Sequence, residues 1–235
     1  MTDDPLTLGA VVSNTNPALI PGPEPLLGQH VKLERLTPNH FPDLYENVGS
    51  HDDLWAWLPD GPFSATSEFV DWLNPHLEMN DEDLVGYAVL LLSGPSKGKA
   101  VGIASLFGAN LANRVIEVGV LFGPQLQRTT AGTELIFLLG CLLFEKLNYR
   151  RFEWKCNSLN LSSRNAAERY GFVYEGTFRQ HRIVRGRNRD SCCYSMIDSE
   201  WPICRKVFER WLEDGNFDEQ QRQRSRMEEI RESLR

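Results

Sequence analysis

The chain has few cysteines and no long apolar run, and both absences restrict its class. Its five cysteines form no Cys-x-x-Cys pair and have no histidine at zinc-ligand spacing, so neither a disulfide framework nor a metal site is implied. The odd number of cysteines favours a reducing compartment, and we expect a cytoplasmic protein. The longest apolar run, residues 135–144, is about half of what a membrane-spanning helix needs. No membrane association is predicted.

Basic charge is also scarce. The 235 residues carry a net charge of −7, which argues against bulk nucleic-acid binding because a polyanion requires a basic surface. No Gly-x-Ser-x-Gly sequence is present, so a serine-hydrolase nucleophile elbow has no support. No basic segment precedes an apolar core at the N-terminus, and a secretory signal is not expected.

Composition divides the chain into three predicted parts. Residues 1–28 are rich in proline and are predicted to form an extended, weakly structured arm. Residues 29–214 are predicted to form one domain, and residues 215–235 a charged tail that is either an exposed helix or frayed. The predicted order within the domain is strand, helices, three strands, helix, strand, helix and two strands. This order indicates an α/β (α+β) domain with a mixed sheet.

A glycine-containing loop that opens an apolar helix is the most informative segment. The apolar strand at residues 115–122 precedes the loop at residues 127–133, and leucines then recur from Leu135 at i, i+3, i+4, i+7 and i+8. A loop at this position presents unpaired backbone N–H groups at the positive end of the helix dipole. Because such an arrangement binds phosphate, we predict a phosphate-bearing ligand there.

Glu117 lies inside the apolar strand, where carboxylates are depleted. By alternation, its face also carries Val115, Gly119 and Leu121. Burial there would make Glu117 a credible proton acceptor. The alternative is an edge position or a salt bridge to an arginine. Glu153 and Lys155 alternate with apolar residues in the next predicted strand and are interpreted as ordinary polar-face residues.

Two further segments allow more than one interpretation. Residues 179–189 hold five arginines and one histidine, which fits a solvated hairpin or a contact to a phosphate or acidic substrate. An RNA contact is the weakest interpretation, since no interleaved aromatic residues accompany the arginines. The tryptophans of residues 54–63 fit either core filling or a pocket wall.

Four features together resemble the GNAT superfamily of acyl-CoA-dependent N-acetyltransferases, and within it the branch of the ribosomal-protein N-terminal alanine acetyltransferases. They are the aromatic loop at 54–63, the loop at 127–132 with its apolar helix, the segment 160–163 leading to the Tyr-Gly-Phe of 170–172, and the closing hairpin. The resemblance covers roughly residues 30–201. It implies a twisted, mostly antiparallel sheet of about seven strands flanked by helices, with splayed central strands.

The resemblance also implies a function and a set of site residues. The activity is direct transfer of an acetyl group from acetyl-CoA to a primary amine of a small molecule or protein N-terminus, by a monomer or homodimer. The implied cofactor-binding residues are Val120, Leu121, Phe122, Gln127, Arg128, Thr129, Thr130, Ala131, Gly132, Thr133, Asn160 and Ser163. Glu117 is the implied catalytic base. Trp55, Trp57, Phe63 and Arg182 are the implied substrate-binding residues.

Two positions depart from the family pattern. Thr130 replaces the first glycine of the acyl-CoA loop, and Ala167 replaces a tyrosine that many members use as general acid for the departing thiolate. These departures support two alternatives: a degenerate, non-catalytic coenzyme A-binding module and, more weakly, a ribosome- or RNA-associated binding protein. The general acid is not assigned.

The free energy of deprotonation favours one type of acceptor amine. An α-amino group with a pKa of ~7.7–8 costs about 1 kcal/mol to deprotonate at pH 7, whereas a lysine with a pKa near ~10.4 costs roughly 4–5 kcal/mol. A single carboxylate such as Glu117 suffices as the base for an α-amino group, but it is a weak base for a lysine side chain. We therefore expect α-amines or small-molecule amines in preference to lysine side chains.

Overall fold

Eight strands form one open sheet in the computed structural model, which describes residues 9–77 and 84–235. The strands are β1 (Leu26–Leu27), β2 (Val31–Arg35), β3 (Leu84–Leu91), β4 (Ala100–Asn110), β5 (Val115–Phe122), β6 (Arg151–Asn157), β7 (Val173–Val184) and β8 (Arg187–Ile197). Their order across the sheet is β1-β2-β3-β4-β5-β6-β8-β7. The predicted fold class is confirmed. The strand number exceeds the expected seven because the short β1 pairs with β2 at one edge.

Six α-helices flank the sheet within the described residues. They are α1 (Phe41–Leu44), α2 (Thr66–Leu73), α3 (Thr130–Gly140), α4 (Leu161–Tyr170), α5 (Trp201–Leu212) and α6 (Met227–Ser233). Helix α3 connects β5 to β6 as a crossover, so these two strands are parallel, whereas the other neighbouring pairs in the described sheet are antiparallel. Within residues 9–77 and 84–235, the helices lack the length and apolar character needed to cross a bilayer.

Two apolar cores lie on opposite faces of the sheet. The larger core includes residues of α3, α4 and α5, and the smaller one lies beneath α1 and α2. Side chains alternate along β5, so Ile116 and Val118 enter the larger core while Leu121 packs against the smaller one. The same alternation places Glu117 on the face of the smaller core, away from α3.

Both chain ends contribute residues to the larger core. Ala18 is buried there, and its N–H donates to the carbonyl of Leu111 at 2.9 Å. At the other end, Met227 and Ile230 of α6 are buried in the same core. The expectation of an exposed or frayed tail was wrong on this point, because the few apolar residues of the segment are the ones that pack. The division into arm, domain and tail stays a prediction, and residues 1–8 of the arm lie outside the described residues.

One buried carboxylate joins α3 to the beginning of β2. Glu134 is 5% exposed, and its two oxygens accept hydrogen bonds from three consecutive backbone N–H groups. The donors are Gln29 at 2.7 Å, His30 at 2.7 Å and Val31 at 3.0 Å. These bonds tie the first turns of α3 to the backbone at the beginning of β2. Glu134 therefore fixes the position of the helix relative to the edge of the sheet.

We expect Glu134→Ala to lower the free energy of unfolding by about 3 kcal/mol or more, because three backbone donors lose their acceptor. Urea denaturation followed by circular dichroism measures this change. The control is Glu209→Ala, which removes an exposed carboxylate whose partner is Arg205 and should cost less than about 0.5 kcal/mol. Equal losses in the two variants would contradict the role assigned to Glu134.

Candidate active site

A cleft opens in the sheet where β5 and β6 separate. Among the described residues, the two strands pair from Val115 with Arg151 to Val118 with Trp154 and no further. Each strand stays paired beyond that point with its other neighbour, β4 or β8. The backbone edges of residues 119–122 and 155–157 therefore face an open cleft of about 1220 Å³. The N–H and C=O groups of these residues that do not bond to β4 or β8 are available to a ligand. Two carbonyls are exceptions: that of Phe122 accepts a hydrogen bond from Gln127 Nε2 at 2.9 Å, and that of Asn157 accepts one from the N–H of Asn160 at 2.9 Å.

The first turn of α3 lies at this cleft. The helix begins at Thr130, so residues 130–133, predicted as loop, are already helical. Thr129 is the N-cap: its Oγ1 accepts a hydrogen bond from the N–H of Gly132 at 3.2 Å, and its carbonyl accepts one from the N–H of Thr133 at 3.4 Å. Among the described residues, the amides of 128–131 have no acceptor. The available set is thus narrower than the predicted 128–133, and it lies at the positive end of the helix dipole.

Gly132 allows the helix to start close to the preceding loop. A Cβ at this position would lie 2.7 Å from the carbonyl oxygen of Leu126, so a larger residue would displace the beginning of α3. Thr130, which replaces the family's first glycine, lines the cleft. Every predicted cofactor-binding residue except Ala131 lines this cleft, and Ala131 is buried in the larger core because it faces inward from the first turn.

Helix α4 also begins at the cleft. Asn160 caps it, since its Oδ1 accepts a hydrogen bond from the N–H of Ser163 at 3.0 Å. Ser163 Oγ accepts a hydrogen bond from Trp154 Nε1 at 3.0 Å, so its own hydroxyl hydrogen can donate to another group, and the thiol of Cys156 is one such neighbour. Ala167 is fully buried and offers no proton. Ser163 is thus a hydroxyl at the cleft near the position where the family tyrosine is replaced.

Glu117 ends a row of five alternating charges across the sheet. The order is Glu175, Arg151, Glu153, Lys155 and Glu117. Arg151 Nε is 2.7 Å from Glu153, and its two terminal nitrogens donate to the two oxygens of Glu175. Lys155 Nζ is 2.7 Å from an oxygen of Glu153 and 2.7 Å from Oε2 of Glu117. The row orients the Glu117 side chain at the closed end of the cleft.

Hydrogen bonds affect the pKa values of Lys155 and Glu153 in this row more than burial does. Burial alone would lower the pKa of Lys155, but the carboxylates of Glu117 and Glu153 raise it. Burial would raise the pKa of Glu153, but Lys155 and Arg151 lower it. The sequence predicted a buried proton acceptor at Glu117, with an edge position or a salt bridge to an arginine as the alternative. Its side chain is 17% exposed and forms a salt bridge, but the partner is a lysine of the neighbouring strand and not an arginine. The role of Glu117 as proton acceptor stays a prediction.

The aromatic loop lies at the other end of the cleft. Trp57 lines the cleft and is 39% exposed. Trp55 is fully buried in the smaller core, its ring edge-on to that of Phe63 at 4.7 Å, and neither of these two lines the cleft. The prediction that Trp55 and Phe63 contact the substrate therefore lacks support from the geometry. They fill the space behind the loop, as the alternative interpretation held.

The β7–β8 hairpin closes the same side. One terminal nitrogen of Arg185, at the hairpin tip, lies within hydrogen-bond distance of four backbone carbonyls, to which its two hydrogens donate. The carbonyls are those of Trp55, Leu58, Asp60 and Gly61, with 2.6 Å to that of Asp60. These bonds hold the hairpin against the aromatic loop. Arg182, predicted to bind substrate, lines the cleft.

Several cleft residues carried no signal that singled them out in the sequence. They include Trp72, His76 and Ser105, together with Trp211, Phe217, Gln221 and Gln223 from the C-terminal part. Lys155, interpreted from the sequence as an ordinary polar-face residue, lines the cleft as well. Lys155 could have been found, because a parallel neighbour of β5 presents Glu153 and Lys155 on the face of Glu117. The C-terminal residues are isolated within a charged segment, so no periodicity marked them.

Comparisons with known proteins give the family. The acetyltransferase (GNAT) domain family matches residues 30–173, and the chain belongs to this family. YdaF of Bacillus subtilis (strain 168), provisionally named a ribosomal N-acetyltransferase, is 26% identical over 178 residues, which are 74% of this chain and 95% of YdaF. Family membership supports acyltransferase activity.

Two solved structures have the same fold. A GCN5-related N-acetyltransferase from Brucella melitensis is 36% identical and superposes with a TM-score of 0.87, covering 94% of this chain and 100% of that one. Spermidine N-acetyltransferase from Vibrio cholerae, solved with CoA and spermine, is 18% identical with a TM-score of 0.61, covering 74% of this chain and 99% of that one. At that identity the second similarity shows the fold alone.

The outer end of the charge row should make stability depend on pH. The hydrogen bonds from Arg151 lower the pKa of Glu175 to about 2. Because this value lies below that of a free glutamate side chain, the stabilisation is complete above about pH 4.3 and is lost as the pH falls toward 2. We expect the free energy of unfolding of Glu175→Gln to fall less steeply over this range than that of the wild type.

Urea denaturation at successive pH values measures the two slopes. The control is Glu213→Gln, which removes an exposed carboxylate that forms no ion pair among the described residues and should reproduce the wild-type slope. Parallel curves for wild type and Glu175→Gln would show that the Arg151–Glu175 pair contributes nothing to the pH dependence.

Proposed function

We propose that this protein transfers an acetyl group from acetyl-CoA directly to a primary amine of a small molecule or of a protein N-terminus. The observation that carries the proposal is the separation of β5 and β6 beside the free amides of α3. A narrow ligand with an amide-containing arm and a diphosphate fits this cleft, since a strand edge can pair with the arm while the helix amides bind the phosphate.

Four parts of the site would hold the donor. The amides of 128–131 would bind the diphosphate, and the free edge of residues 120–122 would pair with the pantetheine arm. Ser163 and Asn160 would contact the same molecule from the start of α4. Acetyl-CoA supplies an activated thioester carbonyl. A backbone N–H of residues 118–120 would stabilise the negative charge that develops on the carbonyl oxygen.

Glu117 would accept the proton of the attacking amine, directly or through one water molecule. Its Oε2 is bound to Lys155, so Oε1 is the oxygen available to the cleft. The acceptor nitrogen must be neutral to attack the carbonyl, and an α-amine reaches that state at little cost near pH 7. The provisional name of YdaF, a ribosomal N-acetyltransferase, supports including protein N-termini among the acceptors. A cytoplasmic location and a monomeric or homodimeric state remain predictions from the sequence.

Thr130→Pro tests the phosphate site by removing a single backbone N–H group. Thr130 is the first helical residue, a position that favours proline. Thr129 before it is extended, with φ −112° and ψ 164°, as the residue before a proline prefers. The substitution removes one N–H that has no acceptor in the described protein. We expect the dissociation constant of coenzyme A to rise about tenfold, as for the loss of one hydrogen bond to a charged group. Isothermal titration calorimetry measures it.

Two controls accompany this variant. Thr130→Ala keeps the N–H and should bind coenzyme A as the wild type does. Pantetheine lacks the diphosphate, so its affinity should be the same for Thr130→Pro and for the wild type. An unchanged coenzyme A affinity in Thr130→Pro would contradict the proposal that the diphosphate binds at the start of α3.

Glu117→Gln tests the proton acceptor. We expect kcat/KM for an α-amine to fall about 10²- to 10³-fold at pH 7, the range for loss of a general base, with coenzyme A affinity unchanged. Thiol release from acetyl-CoA measures turnover. Glu213→Gln is the control, because it removes an exposed carboxylate that lies outside the charge row and does not line the cleft, and it should retain full activity.

The same assays separate the alternatives. Coenzyme A binding without turnover of any amine would favour a non-catalytic coenzyme A-binding module. Binding to ribosomes or RNA, measured separately, without coenzyme A affinity would favour a ribosome- or RNA-associated binding protein. Full activity of Glu117→Gln with retained coenzyme A binding would leave an acetyltransferase whose base is another group.

A further inference from the structure

Two arginines on the closing hairpin form an uncompensated positive site in the cleft. Arg182 of β7 and Arg189 of β8 are directly opposite each other across the hairpin. Both line the cleft. Like charges in directly opposed positions repel and destabilise a strand pair, so their placement requires another explanation than hairpin stability.

The strand register places this pair on the same face of the sheet as Glu117. Opposed residues in neighbouring strands share a face, and β8 pairs Cys193 with Lys155 of β6. Arg189 lies four residues before Cys193 on β8 and therefore points to the same side. Lys155 in turn contacts Glu117. The arginine pair is thus on the side of the sheet where the proposed base lies, opposite to α3 and its free amides.

No carboxylate among the described residues forms an ion pair with Arg182 or Arg189. Neither the Arg182 nor the Arg189 side chain takes part in an ion pair or hydrogen bond there, and Nε of Arg189 is buried without an acceptor. Glu117, the nearby acid of the cleft, is bound to Lys155. Burial, and next the charge of Arg182, lower the pKa of Arg189, although the charge of Glu117 raises it from a distance.

The neighbouring arginine of the same hairpin shows the contrast. One terminal nitrogen of the Arg185 guanidinium lies within hydrogen-bond distance of four backbone carbonyls of the aromatic loop. A partly buried guanidinium without an acceptor has lost hydrogen bonds to water and gained none from the protein. A bound anion replaces those hydrogen bonds. Two adjacent guanidinium groups offer the forked donors that a carboxylate accepts.

We propose that the acceptor amine carries a carboxylate, which Arg182 and Arg189 bind while the amine lies at Glu117. This inference rests on the proposed acetyl transfer and names its acceptor class. The carboxylate belongs either to a small amino acid-like amine or to an acidic residue next to a peptide N-terminus. A polyamine, such as the spermine in the Vibrio cholerae structure, would meet two repelling charges in this cleft.

Matched pairs of amines test the preference with the full-length protein and acetyl-CoA. The peptides Ala-Glu-Ala, Ala-Gln-Ala and Ala-Lys-Ala differ in one side chain, and β-alanine with β-alaninamide forms the small-molecule pair. We expect kcat/KM to be about tenfold or more higher for the acid than for its amide in at least one of the two sets, and spermidine to be the poorest acceptor. Whichever set shows the preference identifies the source of the carboxylate.

Variants assign the preference to the two arginines. Arg182→Gln and Arg189→Gln should each bring the acid-to-amide ratio of kcat/KM close to one, because kcat/KM falls more for the acid than for the amide. Arg182→Glu should reverse the preference toward Ala-Lys-Ala. Arg187→Gln, at an exposed position of the same hairpin that does not line the cleft, should keep the wild-type ratio. Arg182 is exposed, so its variants are expected to fold even where Arg189→Gln does not.

The outcomes separate this inference from the proposed function. Equal turnover of acids and amides by the wild type, or equal loss for both in the arginine variants, would overturn the acidic acceptor and leave the acetyltransferase in place. Absence of thiol release with every amine would overturn the proposed function. Calorimetric binding of the acid and amide pairs in the presence of coenzyme A then decides the inference: tighter binding of the acid supports it, and equal binding overturns it.

Discussion

The separation of β5 and β6 is the constraint on which the rest of the site depends. Each strand is held along its outer edge by a long antiparallel partner, and the crossover through α3 makes their shared edge the parallel one. Twisted sheets rotate successive strands, so two strands tied to diverging partners part most easily at such an edge. The unpaired backbone groups that result are costly in a folded protein unless a ligand or water bonds to them. The opening is therefore both a defect of the sheet and the feature that can bind a second chain-like molecule.

Local patterns predicted the elements around this opening well. The strand that carries Glu153 and Lys155 was predicted, and the leucine periodicity located α3, because both patterns arise from burial of one face against the larger core. The beginning of α3 was predicted too late, since threonines and glycine at 129–133 carry turn propensity that the N-cap of Thr129 overrides. Roles that the resemblance supplied for the cleft residues remain proposals.

Non-local contacts were beyond local patterns. The partner of Glu117 is 38 residues further along the chain, and the pairing of β5 with β6 that joins them is set by the crossover. The distinction between Trp55, buried behind the loop, and Trp57, exposed in the cleft, depends on how two residues of one short loop turn, for which the sequence has no periodicity. The five hairpin arginines looked alike in the sequence, yet in the structure Arg185 contacts backbone carbonyls, whereas Arg182 and Arg189 line the cleft.

The contacts of Arg185 have a consequence for how this protein can diverge. One guanidinium links segments more than 120 residues apart in the chain, the aromatic loop and the hairpin tip. The two walls of the acceptor side are therefore mechanically coupled, and a change in length or shape of one must be matched by the other. Insertions at the hairpin tip would loosen the loop that carries Trp57 without touching it. Selectivity on this side of the molecule is consequently a joint property of two distant stretches of sequence, inherited or altered together.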